Sequence, residues 1–159
     1  MSNFIFLDVD GVLNSKQFNE KCDNNCHRVN WWANGLLDQE CLFLLQQLYF
    51  ALPDTHIVVC SSWRESSVFT SALSMQLSLY GIKIYGATTT NTKLGRGAQI
   101  MEWVNSHANC DNFVVLDDDN DIRDYPPETE ISKHLVWVSY CTGLRQKDVD
   151  EAIDILKGA

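Results

Sequence analysis

The chain has no apolar run approaching the roughly 20 residues that a membrane-crossing helix needs, and its start, MSNFIFLDVD, has no basic segment of the kind that opens a signal peptide. A cytoplasmic protein without a membrane partner is the expectation. Basic residues are scarce, with 12 Lys and Arg against 21 Asp and Glu, a net charge of −9. That balance argues against a broad nucleic-acid backbone footprint, which needs clustered cations, although a small bound nucleic-acid end remains compatible. Low-complexity tracts, internal repeats and linkers are absent. The six cysteines are scattered, several within apolar segments, as suits reduced thiols acting as small hydrophobes rather than a disulfide framework. Cys22, Cys26 and His27 invite a zinc reading, but no second ligand pair closes a four-ligand site.

What is present suffices for one domain spanning 1–159: 45% hydrophobic and 21% charged residues over 159 positions. Phe4 to Val9 is a continuous apolar run ending in Asp8-Val9-Asp10-Gly11, which reads as a strand buried on both faces. Similar runs at His56–Cys60, Phe113–Leu116 and Leu135–Val138, with a shorter one at Ile82–Tyr85, predict further strands. Helical spacing from Asp38 to Pro53, Glu65 to Leu79, Ala98 to Val104, and in a closing segment capped by Thr142, places helices between and after them. The alternation predicts an α/β doubly wound parallel sheet with helices on both faces. The polar stretch 14–34, closing in Trp31-Trp32, is expected to be a flap too short to be a cap domain.

In such sheets ligands bind at the carboxyl edge of the strands, where Asp8, Ser61-Ser62 and Asp117 all fall. Asp8 and Asp10, two apart, can face one bound group, and Gly11 lets the backbone turn sharply beyond them. The bland alternative is a polar turn after a strand. Ser61 and Ser62 offer hydroxyls and following N–H groups to a phosphate, and Arg64 offers a bidentate donor, so with Gly11 they form the expected phosphate cradle. Trp63 reads as packing. Asp117, Asp118, Asp119, Asp121 and Asp124 fall within eight residues. Asp117 or Asp118 is suited to Mg²⁺, whereas Asp119 and Asp124 read as a solvated loop.

The string Phe6-Leu7-Asp8-Val9-Asp10-Gly11-Val12-Leu13-Asn14 resembles the first motif of the haloacid dehalogenase superfamily of phosphotransferases. Ser61-Ser62-Trp63-Arg64 is similar to its second motif, and Val114-Val115-Leu116-Asp117-Asp118-Asp119 to its fourth. More narrowly, Ser-Ser-Trp-Arg, Arg-Gly-x-x-Ile, Leu-Asp-Asp-Asp and the closing Thr-Gly-Leu-x-x-x-Asp-Val-x-x-Ala-Ile resemble the small domains of that superfamily grouped with RNA repair proteins. The resemblance implies Asp8 as nucleophile and Asp10 as general acid and base. It also implies Mg²⁺ held by Asp8, the Asp10 carbonyl and Asp117 or Asp118, and a phosphoryl group held by Ser61 or Ser62. The third motif departs from the usual lysine, leaving Lys93 or Arg96 for its role, with Arg96 preferred; Val12 replaces the usual threonine.

The expected activity is therefore phosphomonoester hydrolysis through an aspartyl phosphate. The second motif also resembles that of polynucleotide kinase/phosphatases, which points to a nucleotide or nucleic-acid end as substrate. His27, Trp31 and Trp32 can be drawn as a stacking wall for a base or as anchors of the flap. A phosphoprotein phosphatase and a non-catalytic binding domain are the rival readings, and a monomer is the expected state.

Overall fold

The computed structural model describes residues 2–25, 35–90, 95–110, 112–120, 122 and 131–158, with backbone alone considered for 23–25. Its centre is a five-stranded sheet in the order β3-β2-β1-β4-β5. The strands are β1 (Asn3–Leu7), β2 (Thr55–Val59), β3 (Ile84–Ala87), β4 (Asn112–Asp117) and β5 (Leu135–Trp137). Every pairing is parallel, and Asn3 to Leu7 run in unbroken register with Thr55 to Val59 on one side and with Asn112 to Leu116 on the other. The sheet thus matches the expected α/β class.

Five α-helices lie among the described residues: α1 (Lys16–Asn25), α2 (Gln39–Ala51), α3 (Ser67–Leu79), α4 (Arg96–Ser106) and α5 (Gln146–Lys157). Because successive side chains of a strand point to opposite faces, each apolar strand feeds two cores. Ile5, Leu7, Ile57, Val59, Val114, Leu116 and Val136 share one core with Leu45 and Leu48 of α2, Leu73 and Leu77 of α3, and Val149 and Leu156 of α5. Phe4, Phe6, Val58, Phe113, Val115 and Leu135 share the other with Ile100 and Trp103 of α4. On that second face Phe6 meets Trp103 and Phe113 edge-on, at centroid separations of 5.4 and 5.7 Å. The layers are unequal: three helices cover one face, while α4 and the short 3₁₀ helix Ile131–His134 contribute to the other.

The order of strands positions the site. From β1 the chain moves outward to β2 and β3, then crosses back to β4 on the far side of β1. Crossovers from β1 and from β4 therefore leave in opposite directions, opening a crevice at the carboxyl ends of those two strands. Asp8 follows the last residue of β1, and Asp117 is the last residue of β4.

Four local expectations change. The polar stretch from 14 is helical over Lys16–Asn25, while 26–34, with Cys26, His27, Trp31 and Trp32, lies outside the described residues. The third strand is Ile84–Ala87 rather than 82–85, because the Ile82 N–H donates to Leu77 O and closes the end of α3. Helix α3 begins at Ser67, capped by the Ser66 side chain, after a 3₁₀ turn over Ser62–Glu65. Thr142 does not cap α5. Its N–H bonds Ser139 O in a preceding turn, and the helix starts after Arg145, whose N–H donates to Asp148 Oδ2 at 2.8 Å. No helix among the described residues is long and apolar enough to cross a membrane.

Candidate active site

Asp8 is held at the mouth of the crevice by the sheet itself, its N–H donating to Leu116 O at 3.0 Å. Its carboxylate is almost fully buried, 3% exposed, and Asp117 is wholly buried. One carboxylate oxygen each from Asp8, Asp117 and Asp118 lies within 4.8 Å of the others. Arg96, the first residue of α4, sends Nη1 between two of them, 2.7 Å from Asp117 Oδ2 and 3.2 Å from Asp8 Oδ2. The Asp119 N–H also donates to Asp117 Oδ1 at 2.8 Å.

One guanidinium does not neutralise this set. Burial pushes the Asp8 carboxyl up to about 6, against the pull of Arg96, the Val9 N–H and the Ser61 hydroxyl. Asp117 is pushed up to about 7, again by burial first and then by the charge of Asp8. Burial raises Asp118 as well. Burial by itself would lower Arg96, but Asp8 and Asp117 outweigh it and hold the guanidinium firmly charged. Hard oxygen donors this close, with negative charge in excess and desolvated, are chemically suited to a divalent cation. The residues present fit Mg²⁺ in that respect.

Asp10 stands apart from the cluster, exposed, with each carboxylate oxygen held by a different side chain. Asn14 Nδ2 donates to Oδ1 at 2.7 Å, and Trp63 Nε1 donates to Oδ2 at 3.0 Å. Asn14 also accepts the Gly11 N–H through Oδ1 at 3.0 Å, tying the turn after Asp10 to the same residue. Trp63, expected to be a packing residue, is buried and packs, yet it also reaches Asp10 across 53 positions of sequence. Asp10, Asn14, Ser62, Trp63, Ser66 and Phe69 help line an open cleft of about 380 Å³.

The structure distributes the phosphate cradle unevenly. Ser61 is buried beside Asp8, and its Oγ also accepts the Trp63 N–H at 3.3 Å. Ser62 is exposed and lines the cleft. Arg64, expected in the same cradle, turns the terminal nitrogens of its fork to the protein. Nη1 donates to Cys60 O at 2.6 Å and Ser61 O at 2.5 Å, and Nη2 to Thr89 O at 2.9 Å and Gln99 Oε1 at 2.8 Å. All four terminal hydrogens are thereby committed to protein oxygens. Lys93, Asp121 and Asp124 lie outside the described residues, so of the two third-motif candidates only Arg96 has a described position.

Gly11 adopts φ +82°, and a Cβ there would run into the Asp118 carboxylate. Gly11→Ala should therefore both strain the backbone and displace Asp118, lowering stability by about 1–3 kcal/mol. Urea unfolding of the two proteins checks this. Cys60, close to the same acids, offers no rival nucleophile, since burial and then Asp117 push its thiol well above the usual range.

Residues 4–149 match a family model described as the HAD domain in Swiss Army Knife RNA repair proteins. No curated protein and no solved structure matches the chain.

Proposed function

Because the chain belongs to the HAD domains of Swiss Army Knife RNA repair proteins, we propose that it is a Mg²⁺-dependent phosphatase that removes a terminal phosphate from a nucleotide or nucleic-acid end. The observation that carries this reading is the convergence of Asp8, Asp117 and Asp118 within 4.8 Å at the β1–β4 switch point, next to a cleft into which Asp10 opens. Asp8, the carbonyl of Asp10, and Asp117 or Asp118 would hold the ion, which when bound supplies charge neutralisation for an anionic nucleophile meeting an anionic phosphate.

The chain's own residues then divide the work. An Asp8 carboxylate oxygen attacks phosphorus in line, and the bond from phosphorus to the leaving oxygen breaks. Asp10 gives its proton to that oxygen as it departs. In the second half, water attacks the aspartyl phosphate, Asp10 takes the water's proton, and inorganic phosphate leaves with Asp8 regenerated. The Ser62 hydroxyl, exposed at the cleft, can reach the transferring phosphoryl group, whereas the buried Ser61 hydroxyl, already engaged with Asp8 and the Trp63 N–H, would have to turn from them to do so. Arg96 counters the Asp8 and Asp117 charges, which suits it to the third-motif role that a lysine usually fills in the wider superfamily.

Phosphate release should be measured from a 3′-phosphorylated oligoribonucleotide, a nucleoside monophosphate and small sugar phosphates, each with Mg²⁺ and with excess chelator. The expected outcome is chelator-sensitive release, with kcat/KM for the nucleic-acid end at least about tenfold above the sugars, a preference of about 1.4 kcal/mol. Preference for the sugars would reject the substrate assignment, and release that ignores the chelator would reject the metal.

A further inference from the structure

An exposed carboxylate that must hand a proton to a departing oxygen is of little use if it can rotate freely, and Asp10 does not. Its two oxygens are held separately by Asn14 Nδ2 and Trp63 Nε1, both uncharged donors. Trp63 is fixed at several points. Its ring packs against Phe69 at a centroid separation of 4.9 Å, its backbone N–H donates to Ser61 Oγ, and its carbonyl accepts the Thr70 hydroxyl at 3.1 Å. On another side lies Gly35, at φ +63°, where an added Cβ would stand 3.2 Å from the ring atoms Cη2 and Cζ3. The indole is thus packed on Phe69 and approached by the backbone of Gly35, where any side chain would crowd the ring.

We propose that Trp63 is a positioning residue for the Asp10 carboxylate, directing it at the leaving group across the shared cleft, with Asn14 as the second arm of the same clamp. The proposal rests on the reading of Asp10 as general acid. Two neutral donors fix direction without locking the carboxylate into an ion pair, and each leaves its oxygen a further lone pair for the reaction. A buried indole also needs some partner for its N–H. The bland alternative is that Asp10 merely serves the core in that capacity.

The leaving group separates the two. A general acid matters when the departing oxygen is a strongly basic alkoxide, and much less for 4-nitrophenolate, which leaves without a proton. The variant is Trp63→Phe, backed by Trp63 replaced with its benzothiophene analogue, where sulfur substitutes for Nε1–H and the packing is kept. For both, kcat/KM should fall about tenfold or more on a simple alkyl phosphate, yet about threefold or less on 4-nitrophenyl phosphate. Thermal melting of each protein accompanies the kinetics. Equal losses on the two substrates, or no loss on either, from the folded benzothiophene protein would overturn the proposal. Asp10→Asn is run on the same pair of substrates. If it shows the leaving-group difference and the Trp63 variants do not, the positioning role fails alone; if Asp10→Asn shows none, the general-acid reading fails with it.

Discussion

Asp8→Asn is expected to abolish turnover, by at least about three orders of magnitude in kcat, while making the metal-free protein more stable. Both effects have one origin. An amide oxygen is a poor nucleophile toward phosphorus and cannot form the acyl phosphate that the two-step route requires. The same change removes one member of a crowded acid set. Asp8 is 3% exposed, and burial holds its carboxyl up to about 6, so above that pH folding forces a desolvated charge on the protein. For a carboxyl raised in this way, the favourable contribution is full below the ordinary value of 3.8 and is lost as pH rises through 6. At pH 8 without Mg²⁺ the variant should therefore unfold at a higher denaturant concentration than the parent, by about 1–3 kcal/mol, and the gain should shrink at pH 5. Arg96 keeps a partner in either case, since Asp117 is the nearer of its two acids at 2.7 Å. Adding Mg²⁺ should stabilise the parent more than the variant. Equal activity would remove Asp8 from the chemistry, and a destabilised metal-free variant would show that the acids are not in electrostatic conflict.

Much of this site can be read from the chain because the strands that carry it are continuous apolar runs, each with an abrupt polar end. Asp8 and Asp117 fall at such ends, and parallel register through β1 and β4 does the rest. Harder to see is anything that depends on distant pairing. The Trp63–Asp10 bond links the 3₁₀ turn after β2 to the turn after β1, and tryptophan reads by default as core. Arg64 looks like an anion receptor because guanidinium suits phosphate. At the carboxyl edge of β2, though, backbone carbonyls without ladder partners compete for it, and Cys60 O and Ser61 O win. Helix α1 was hidden by composition, since its polar run offers no wide apolar stripe; only Phe18 and Cys22, one turn apart, hinted at a packed face. The offset of β3 has a similar cause. Ile82 is apolar and buried, but its N–H is spent on ending α3.

Arg96→Met is expected to show the reverse pH pattern of stability from Asp8→Asn and to expose how the cluster is balanced. Its guanidinium contacts Asp8 and Asp117 through one nitrogen and, among the described residues, is the cation that most strongly opposes their burial penalty. Without it, the two buried carboxylates lose that counter-charge, a change that typically costs about 3–5 kcal/mol. Arg96 is 28% exposed in its side chain, so water screens part of that loss and about 2–3 kcal/mol is the expected figure at pH 8. The carboxyls of Asp8 and Asp117 sit at about 6 and about 7 with Arg96 in place, and must rise further when it is removed. Below those values both are neutral in the folded protein and have little to lose. The variant should accordingly match the parent within about 1 kcal/mol at pH 5 and fall behind as pH rises through 6 to 8, as followed by urea unfolding in chelator. Millimolar Mg²⁺ should restore most of the difference, because a divalent cation can supply the missing positive charge to the same oxygens. Activity should remain depressed by about tenfold or more even at saturating Mg²⁺, since a metal cannot also orient Asp8 from the side of α4. A penalty independent of pH would mean that Arg96 acts through packing, and failure of Mg²⁺ to rescue stability would mean that the three acids do not share an ion.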